Sequence, residues 1–149
     1  MKMKRSLPPT YFLAAVLLML ACHVFVPVRR LLLFPWTLLG LIPVGLGIGL
    51  NLVADRAFKT HATTVKPFQT STRLVTTEVF GFSRNPMYLG MVCILMGVAG
   101  LTGTLTPWLV IPVFMAVLTR VFIRVEEKRL AETFGEAYHA YTRRVRRWL

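Results

Sequence analysis

The sequence predicts an all-α integral membrane protein, with about four transmembrane helices and an amphipathic C-terminal helix in the cytoplasm. The chain has 149 residues, of which 55% are hydrophobic and only 16% are charged. Its 18 basic and 6 acidic side chains all lie outside three uncharged runs, at residues 6–28, 31–54 and 85–119. Soluble domains carry charge along every surface element, so uncharged runs of 23, 24 and 35 residues are typical of membrane-spanning segments.

The composition also excludes two classes of protein. A net charge of +12 is typical of nucleic-acid binders, but the long uncharged runs exclude a water-soluble one, so no nucleic-acid partner is expected. Intrinsic disorder requires low hydrophobicity, whereas the mean hydropathy here is +0.60. The basic side chains must therefore serve another purpose.

The lengths of the runs predict the individual spans. A helix needs about 20 apolar residues to cross a bilayer, so the first two runs are one helix each and the third must turn within itself. Gly103 and the neighbouring threonines favour a turn at 101–107, and Pro107 suits the first position of a new helix. A single membrane domain, 1–149, is predicted, with spans at about 11–28, 31–54, 87–101 and 108–125, a cytoplasmic loop at 55–86 and a cytoplasmic tail helix at 126–149.

The distribution of Lys and Arg predicts the orientation, because basic residues are enriched on the cytoplasmic side. With the N-terminus inside, sixteen basic residues fall on the inner side and two on the outer side. The outer pair is Arg29 and Arg30. The inner set is Lys2, Lys4, Arg5, Arg56, Lys59, Lys66, Arg73, Arg84, Arg120, Arg124, Lys128, Arg129, Arg143, Arg144, Arg146 and Arg147. Both termini are therefore expected in the cytoplasm.

Several residues inside the spans are explained by helix packing. Gly45 and Gly49 are four residues apart, so they share a helix face on which a neighbouring backbone can approach closely. For His23, a hydrogen bond between helices is favoured over a functional ionisable group. Cys22 and Cys93 are interpreted as small apolar residues, and no Cys/His spacing typical of a metal site appears in the sequence.

The segment at residues 81–90 is the first candidate site. Pro86 suits the first turn of the third span, with Asn85 or Ser83 able to cap it, so Arg84 lies beside a helix N-terminus. Free N–H groups and partial positive charge make such an end a potential anion site. Tyr88 is one turn beyond Arg84 and can face the same pocket. The alternative is an interfacial Arg and Tyr of the kind found in many membrane proteins.

The end of the fourth span is the second candidate site. Arg120 and Arg124 are one helical turn apart, and Glu126 and Glu127 follow closely. Two adjacent carboxylates near a bilayer are costly unless each meets a cation or a hydrogen-bond donor. The pair therefore indicates a polar ligand, such as a diol or an ammonium group. A solvated start of the tail with internal ion pairs is the alternative.

The tail carries an apolar stripe at helical spacing, with arginines on the other faces. This pattern predicts an amphipathic helix, and Gly135 is expected to kink it or to divide it in two. Such a helix either lies on an anionic leaflet or closes over a site. The stripe consists of Leu130, Ala131, Phe134, Tyr138, Tyr141, Val145 and Trp148.

Taken together, these motifs resemble the isoprenylcysteine carboxyl methyltransferase and phospholipid methyltransferase superfamily. The resemblance covers about residues 66–149 and rests on the order Arg-Asn-Pro-Met-Tyr-Leu-Gly, then Glu-Glu, then Phe-Gly-Glu-x-Tyr-x-x-Tyr with a basic end. The isoprenylcysteine enzymes usually have His at the position of Asn85. The resemblance implies a cytoplasmic S-adenosylmethionine pocket formed by Gly81, Phe82, Arg84, Asn85, Pro86, Tyr88, Gly90, Glu126 and Glu127.

The implied activity is S-adenosylmethionine-dependent methylation of a lipid or lipid-like acceptor, an isoprenoid included, at the cytoplasmic face of a bacterial inner membrane. Glu126 or Glu127 is expected to bind the ribose hydroxyls or the amino group of S-adenosylmethionine, and Arg84 is expected to bind its carboxylate. Tyr88 or a glutamate is expected to serve as base for an amine acceptor. Arg120, Arg124 or Arg129 is expected to hold an anionic acceptor, such as a carboxylate or a lipid phosphate.

Two other functions remain open. The related sterol reductases have a similar C-terminal region but use a nicotinamide cofactor, which would make the protein an NADPH-dependent reductase. The second alternative is a non-catalytic membrane protein whose basic tail binds anionic lipid, with effects that weaken in salt.

Overall fold

The fold of the described residues, 7–60 and 73–149, consists of helices and connecting turns in a computed structural model. Residues 1–6 and 61–72 lie outside the described residues, and with them the N-terminal basic residues, Lys66 and much of the predicted 55–86 loop. The helices are α1 (Pro8–Phe25), α2 (Leu41–Thr60), α3 (Pro86–Thr102), α4 (Val110–Leu118), α5 (Arg124–Phe134) and α6 (Glu136–Arg144). The all-α fold class is confirmed.

Among the described residues, three helical segments are long and apolar enough to cross a membrane: Pro8–Phe25, Trp36–Thr60 and Thr106–Phe134. The second joins a 3-10 turn, Trp36–Gly40, to α2. The third contains α4, a π-helical turn at Thr119–Ile123 and α5 without interruption. Helix α3 is apolar but has 17 residues, about 25 Å of helix, so a fourth crossing stays a prediction.

Several predicted boundaries are wrong. Helix α2 extends to Thr60, so the loop predicted at 55–86 begins inside this helix. The second helical segment begins at Trp36 rather than at residue 31, because Pro35 disfavours helical geometry at Phe34 and lacks the N–H that an interior position needs. The tail is not helical as far as residue 149, because α6 ends at Arg144. Helix α5 continues directly from the π-helical turn, and Gly135 divides the tail at a positive φ of 51°. The predicted break at Gly135 is confirmed.

The predicted turn between the last two apolar segments is confirmed. Gly103 ends α3 in a left-handed conformation with φ 67°, which favours glycine. Its carbonyl accepts hydrogen bonds from the backbone N–H groups of Leu31 and Leu32, at 2.7 and 3.2 Å. His23 Nδ1 lies 3.0 Å from Thr104 Oγ1, so His23 makes a hydrogen bond as favoured, but its partner lies in the turn after α3 rather than in a helix.

Glycines form the contact between α3 and the segment made of α2 and its preceding turn, but they are not the predicted glycines. A Cβ added to Gly45 or Gly49 would have no neighbouring atom within 4 Å, so these two residues do not face α3. Gly40 instead lies opposite Gly97, and Gly47 lies opposite Gly90. The two glycines on each segment are seven residues apart, or about two helical turns, so they share a face. Close antiparallel approach of the two backbones follows.

Gly97→Ala tests this contact against Gly45→Ala. A methyl group on Gly97 would lie 2.5 Å from the carbonyl oxygen of Gly40, so we expect a loss of about 1–3 kcal/mol in stability. Gly45 faces open space, and alanine there should leave the melting temperature in detergent unchanged or raise it. Equal melting temperatures for the two variants would contradict this arrangement of α2 and α3.

Candidate functional site

A pocket of about 270 Å³ lies where the starts of α1 and α3, the end of α2 and the start of α5 meet. Its polar lining comes from four side chains, Arg84, Asn85, Tyr88 and Glu126. The other walls are apolar. They consist of Leu7, Pro8, Pro9, Phe58, Phe80, Pro86, Met87 and Met91. The pocket is thus polar on one side and suited to a hydrophobic molecule on the other.

Arg84 lies shortly before α3 and is largely buried, with 15% of its side chain exposed. Its Nη1 lies 3.1 Å from Glu127 Oε1 and 3.5 Å from the hydroxyl oxygen of Tyr138. Its Nε is buried, and no acceptor for it occurs among residues 7–60 and 73–149. A buried donor without an acceptor costs about 1–3 kcal/mol, so this nitrogen favours an additional hydrogen-bonding group.

Tyr88 and Glu126 form a hydrogen-bonded pair in the lining of the pocket. The Tyr88 hydroxyl donates a hydrogen bond to Glu126 Oε1 at 3.1 Å. The π-helical turn explains the direction of Glu126. At about 100° per residue, a regular helix would place Glu126 about 80° around from the buried Leu118. A π-helical turn holds more residues per turn, which brings Glu126 closer to the face of Leu118.

Glu127 is bound by two arginines rather than exposed to the pocket. Arg147 donates from Nε to Oε1 at 2.9 Å and from Nη2 to Oε2 at 2.7 Å, while Arg84 pairs with Oε1. Bidentate contacts of this kind are among the stronger hydrogen bonds in proteins. The two adjacent glutamates therefore differ, because Glu126 faces the pocket and Glu127 fixes the arginines beside it.

The last residues of the chain are bound to the segment that begins α3. The Arg84 N–H donates to the carbonyl of Arg146 at 3.0 Å, and Asn85 Nδ2 donates to the carbonyl of Arg147 at 2.9 Å. The predicted side-chain cap of α3 is therefore wrong. Asn85 is at the cap position, but its side chain binds Arg147, and Ser83 Oγ accepts from the Asn85 N–H at 3.1 Å.

Helix α6 packs against the protein through two tyrosines. Tyr138 and Tyr141 are buried, and the Tyr141 hydroxyl donates to the carbonyl of Phe80 at 2.6 Å. Burial raises the pKa of Tyr141 to about 12, so its hydroxyl is neutral and remains a donor. Since Phe80 lines the pocket, α6 supports one wall of it. The apolar face of α6 is therefore covered by the protein itself.

The predicted site residues are only partly brought together. Arg84, Asn85, Pro86, Tyr88 and Glu126 line the pocket, and Glu127 contacts Arg84. The other predicted residues lie elsewhere: Gly81 and Phe82 are exposed, Gly90 contacts α2, and Arg120 and Arg124 are exposed outside the pocket lining.

Sequence reasoning missed Phe80 and Arg147 as parts of the site. Phe80 is two residues before Phe82 and lines the pocket in its place. Arg147 is one of several arginines at the end of the tail, and no local pattern distinguishes it. Its adjacency to Glu127 depends on the turn at Gly135 and on α6.

Tyr141→Phe tests the support of the pocket wall. The substitution keeps the aromatic ring but removes the hydroxyl donor, so the Phe80 carbonyl loses this hydrogen bond. We expect the free energy of unfolding to fall by about 1–3 kcal/mol. Thermal unfolding in detergent measures this loss. Tyr11→Phe is the matched control, because Tyr11 contacts Phe122 through its ring outside the pocket lining. A melting temperature equal to that of Tyr11→Phe would contradict the proposed support.

Comparison with known proteins places these features in a family. A family model for phospholipid methyltransferase matches residues 36–137. A Haemophilus influenzae protein described as an uncharacterized protein is 36% identical over 63 residues, which cover 42% of this chain and 100% of that protein. No solved structure matches the chain. The family match covers more than half of the sequence and includes all of α2, α3, α4 and α5, so the chain belongs to the phospholipid methyltransferase family.

Proposed function

We propose that the protein transfers a methyl group from S-adenosylmethionine to a lipid or lipid-like acceptor at the cytoplasmic face of a bacterial inner membrane. Family membership supports methyl transfer. The observation that carries the proposal is the pocket, in which Arg84, Tyr88 and Glu126 meet apolar walls. A charged methyl donor and an apolar acceptor require such a combination.

The polar side of the pocket fits the donor molecule. S-adenosylmethionine contains a carboxylate, an amino group and ribose hydroxyls. Glu126 has carboxylate oxygens that accept hydrogen bonds from hydroxyl or amino groups. Arg84 has a buried Nε without an acceptor in the described part of the chain, and a carboxylate supplies one. The donor is therefore proposed to bind with its carboxylate at Arg84 and its hydroxyl or amino groups at Glu126.

Methyl transfer mainly requires the protein to align the donor with the acceptor. When bound, S-adenosylmethionine supplies a methyl group already activated by its sulfonium. The side chains must hold donor and acceptor in line and exclude water. Tyr88 orients Glu126 through their hydrogen bond, and a carboxylate oxygen of Glu126 is proposed to take the proton that an amine acceptor would release.

The acceptor is proposed to enter from the bilayer. Leu7, Phe58, Met87 and Met91 form apolar walls that a lipid chain can contact without desolvating polar groups. Arg120 and Arg124 are exposed on the same long helical segment as Glu126. They are proposed to bind an anionic group of the acceptor outside the pocket, since guanidinium groups suit phosphate and carboxylate.

Calorimetric titration of the purified protein tests the donor site. S-adenosylmethionine and its demethylated product are expected to bind, and NADPH is not. Glu126→Gln should weaken S-adenosylmethionine binding about tenfold, because a neutral amide replaces a carboxylate acceptor. The matched control is Glu132→Gln on the same helix, where the side chain is exposed and paired with Lys128. NADPH binding without S-adenosylmethionine binding would reject the proposal in favour of a reductase.

Methyl transfer itself is measured with methyl-labelled donor and a total bacterial lipid extract, isoprenoids included, as the source of acceptors. Label is expected in the lipid fraction. Tyr88→Phe should lower the rate roughly tenfold, because it removes the hydrogen bond that orients Glu126. Tyr11→Phe should retain the rate. Tight donor binding with no label in any lipid or isoprenoid fraction would overturn the assignment of the acceptor class.

A further inference from the structure

We infer that Arg147 is a positioning residue, which keeps Arg84 available to an anionic group by sharing the carboxylate of Glu127. The inference rests on the proposed function for the identity of that group, the donor carboxylate. It concerns a residue of the C-terminal segment that does not line the pocket itself. Its basis is the arrangement of three charges directly beside the pocket.

The three side chains form one cluster with a formal charge of +1. Glu127 is mostly buried, with 17% of its side chain exposed, and both of its oxygens contact Arg147. Arg84 reaches only Oε1, through Nη1 at 3.1 Å. Arg147 therefore makes the bidentate contact, and Arg84 the single one. This division leaves Arg84 incompletely neutralised.

Loss of Arg147 would change the charge that a ligand meets. Both oxygens of Glu127 would become available to Arg84, and the remaining pair would have a formal charge of zero. Because Arg84 and Glu127 are mostly buried, water screens their attraction weakly, and a buried carboxylate without Arg147 would bind Arg84 more closely. An incoming carboxylate would then have to compete with Glu127.

The backbone holds Arg147 in place for this role. Its carbonyl accepts from Asn85 Nδ2 at 2.9 Å and lies 3.5 Å from Ser83 Oγ, and the neighbouring Trp148 packs against the main apolar core. One residue thus contacts the start of α3 through its carbonyl and α5 through its guanidinium. The contacts of the Arg147 carbonyl and of its guanidinium both resist displacement of this side chain relative to Glu127.

A second substitution that restores the charge of the cluster distinguishes a positioning role of Arg147 from a general structural role. Arg147→Gln makes the cluster neutral, whereas Arg147→Gln combined with Glu127→Gln restores a charge of +1 on Arg84. Calorimetry is expected to show about tenfold weaker S-adenosylmethionine binding for the single variant, or about 1.4 kcal/mol, and recovery to within about threefold of wild type for the double variant. Arg144→Gln, an exposed arginine of the same tail, is the control and should bind like wild type.

A second ligand tests whether the effect is at the carboxylate. Methylthioadenosine keeps the nucleoside and the thioether but lacks the amino acid, so Arg147→Gln should leave its affinity unchanged. Equal weakening of both ligands would overturn the inference, as would a double variant that binds no better than Arg147→Gln. Unchanged S-adenosylmethionine affinity in Arg147→Gln would also overturn it.

A ligand-free measurement separates this inference from the proposed function. In protein with ¹⁵N-labelled arginine, the Arg84 Nε–H resonance should shift in Arg147→Gln as Glu127 approaches Arg84, and return towards its wild-type position in the double variant. A resonance that does not move would overturn the sharing of Glu127. Absence of S-adenosylmethionine binding in the wild type, with this shift present, would reject only the proposed ligand.

Discussion

The uncharged run at 85–119 is the constraint on which the site depends. In a bilayer, backbone polar groups must be paired within the protein, so a run of this length forms two helical segments joined by a turn. Gly103 provides that turn through its left-handed backbone. The polar residues at the two ends of the run then meet, and Tyr88 contacts Glu126 while Arg84 contacts Glu127.

The ion pairs at this junction affect the electrostatics of the pocket because they are mostly buried. An exposed salt bridge contributes little, but a charge held in a mostly buried cluster requires compensation by its neighbours. Arg84, Glu127 and Arg147 compensate each other incompletely, and the Nε of Arg84 has no acceptor in the described residues. Incomplete compensation is the property that favours an anionic ligand. The cluster therefore links the stability of the C-terminal segment to the electrostatics of the pocket.

Local patterns were sufficient where one segment alone decides the structure. Pro86 begins α3, Gly103 ends it and Gly135 divides the tail, because each residue restricts or frees its own backbone. Which glycines contact a neighbouring helix depends instead on how two helices are rotated about their axes. Gly45 and Gly49 satisfied the spacing rule, yet Gly47 lies in the contact with Gly90. Spacing defines a face without indicating where that face points.

The sequence by itself determined the fold class and part of the pocket lining, namely Arg84, Asn85, Pro86, Tyr88 and Glu126. Hydrophobic runs, helix boundaries and the Arg-Asn-Pro-x-Tyr and Glu-Glu motifs are properties of local chain chemistry. Only the tertiary structure decided that Glu126 faces the pocket and Glu127 the arginines, that Arg120 and Arg124 lie outside, and that Arg147 joins the cluster. A π-helical turn and a tail folded back over α3 cause these differences. Both set the relative position of residues distant in sequence, and no local pattern specifies that position.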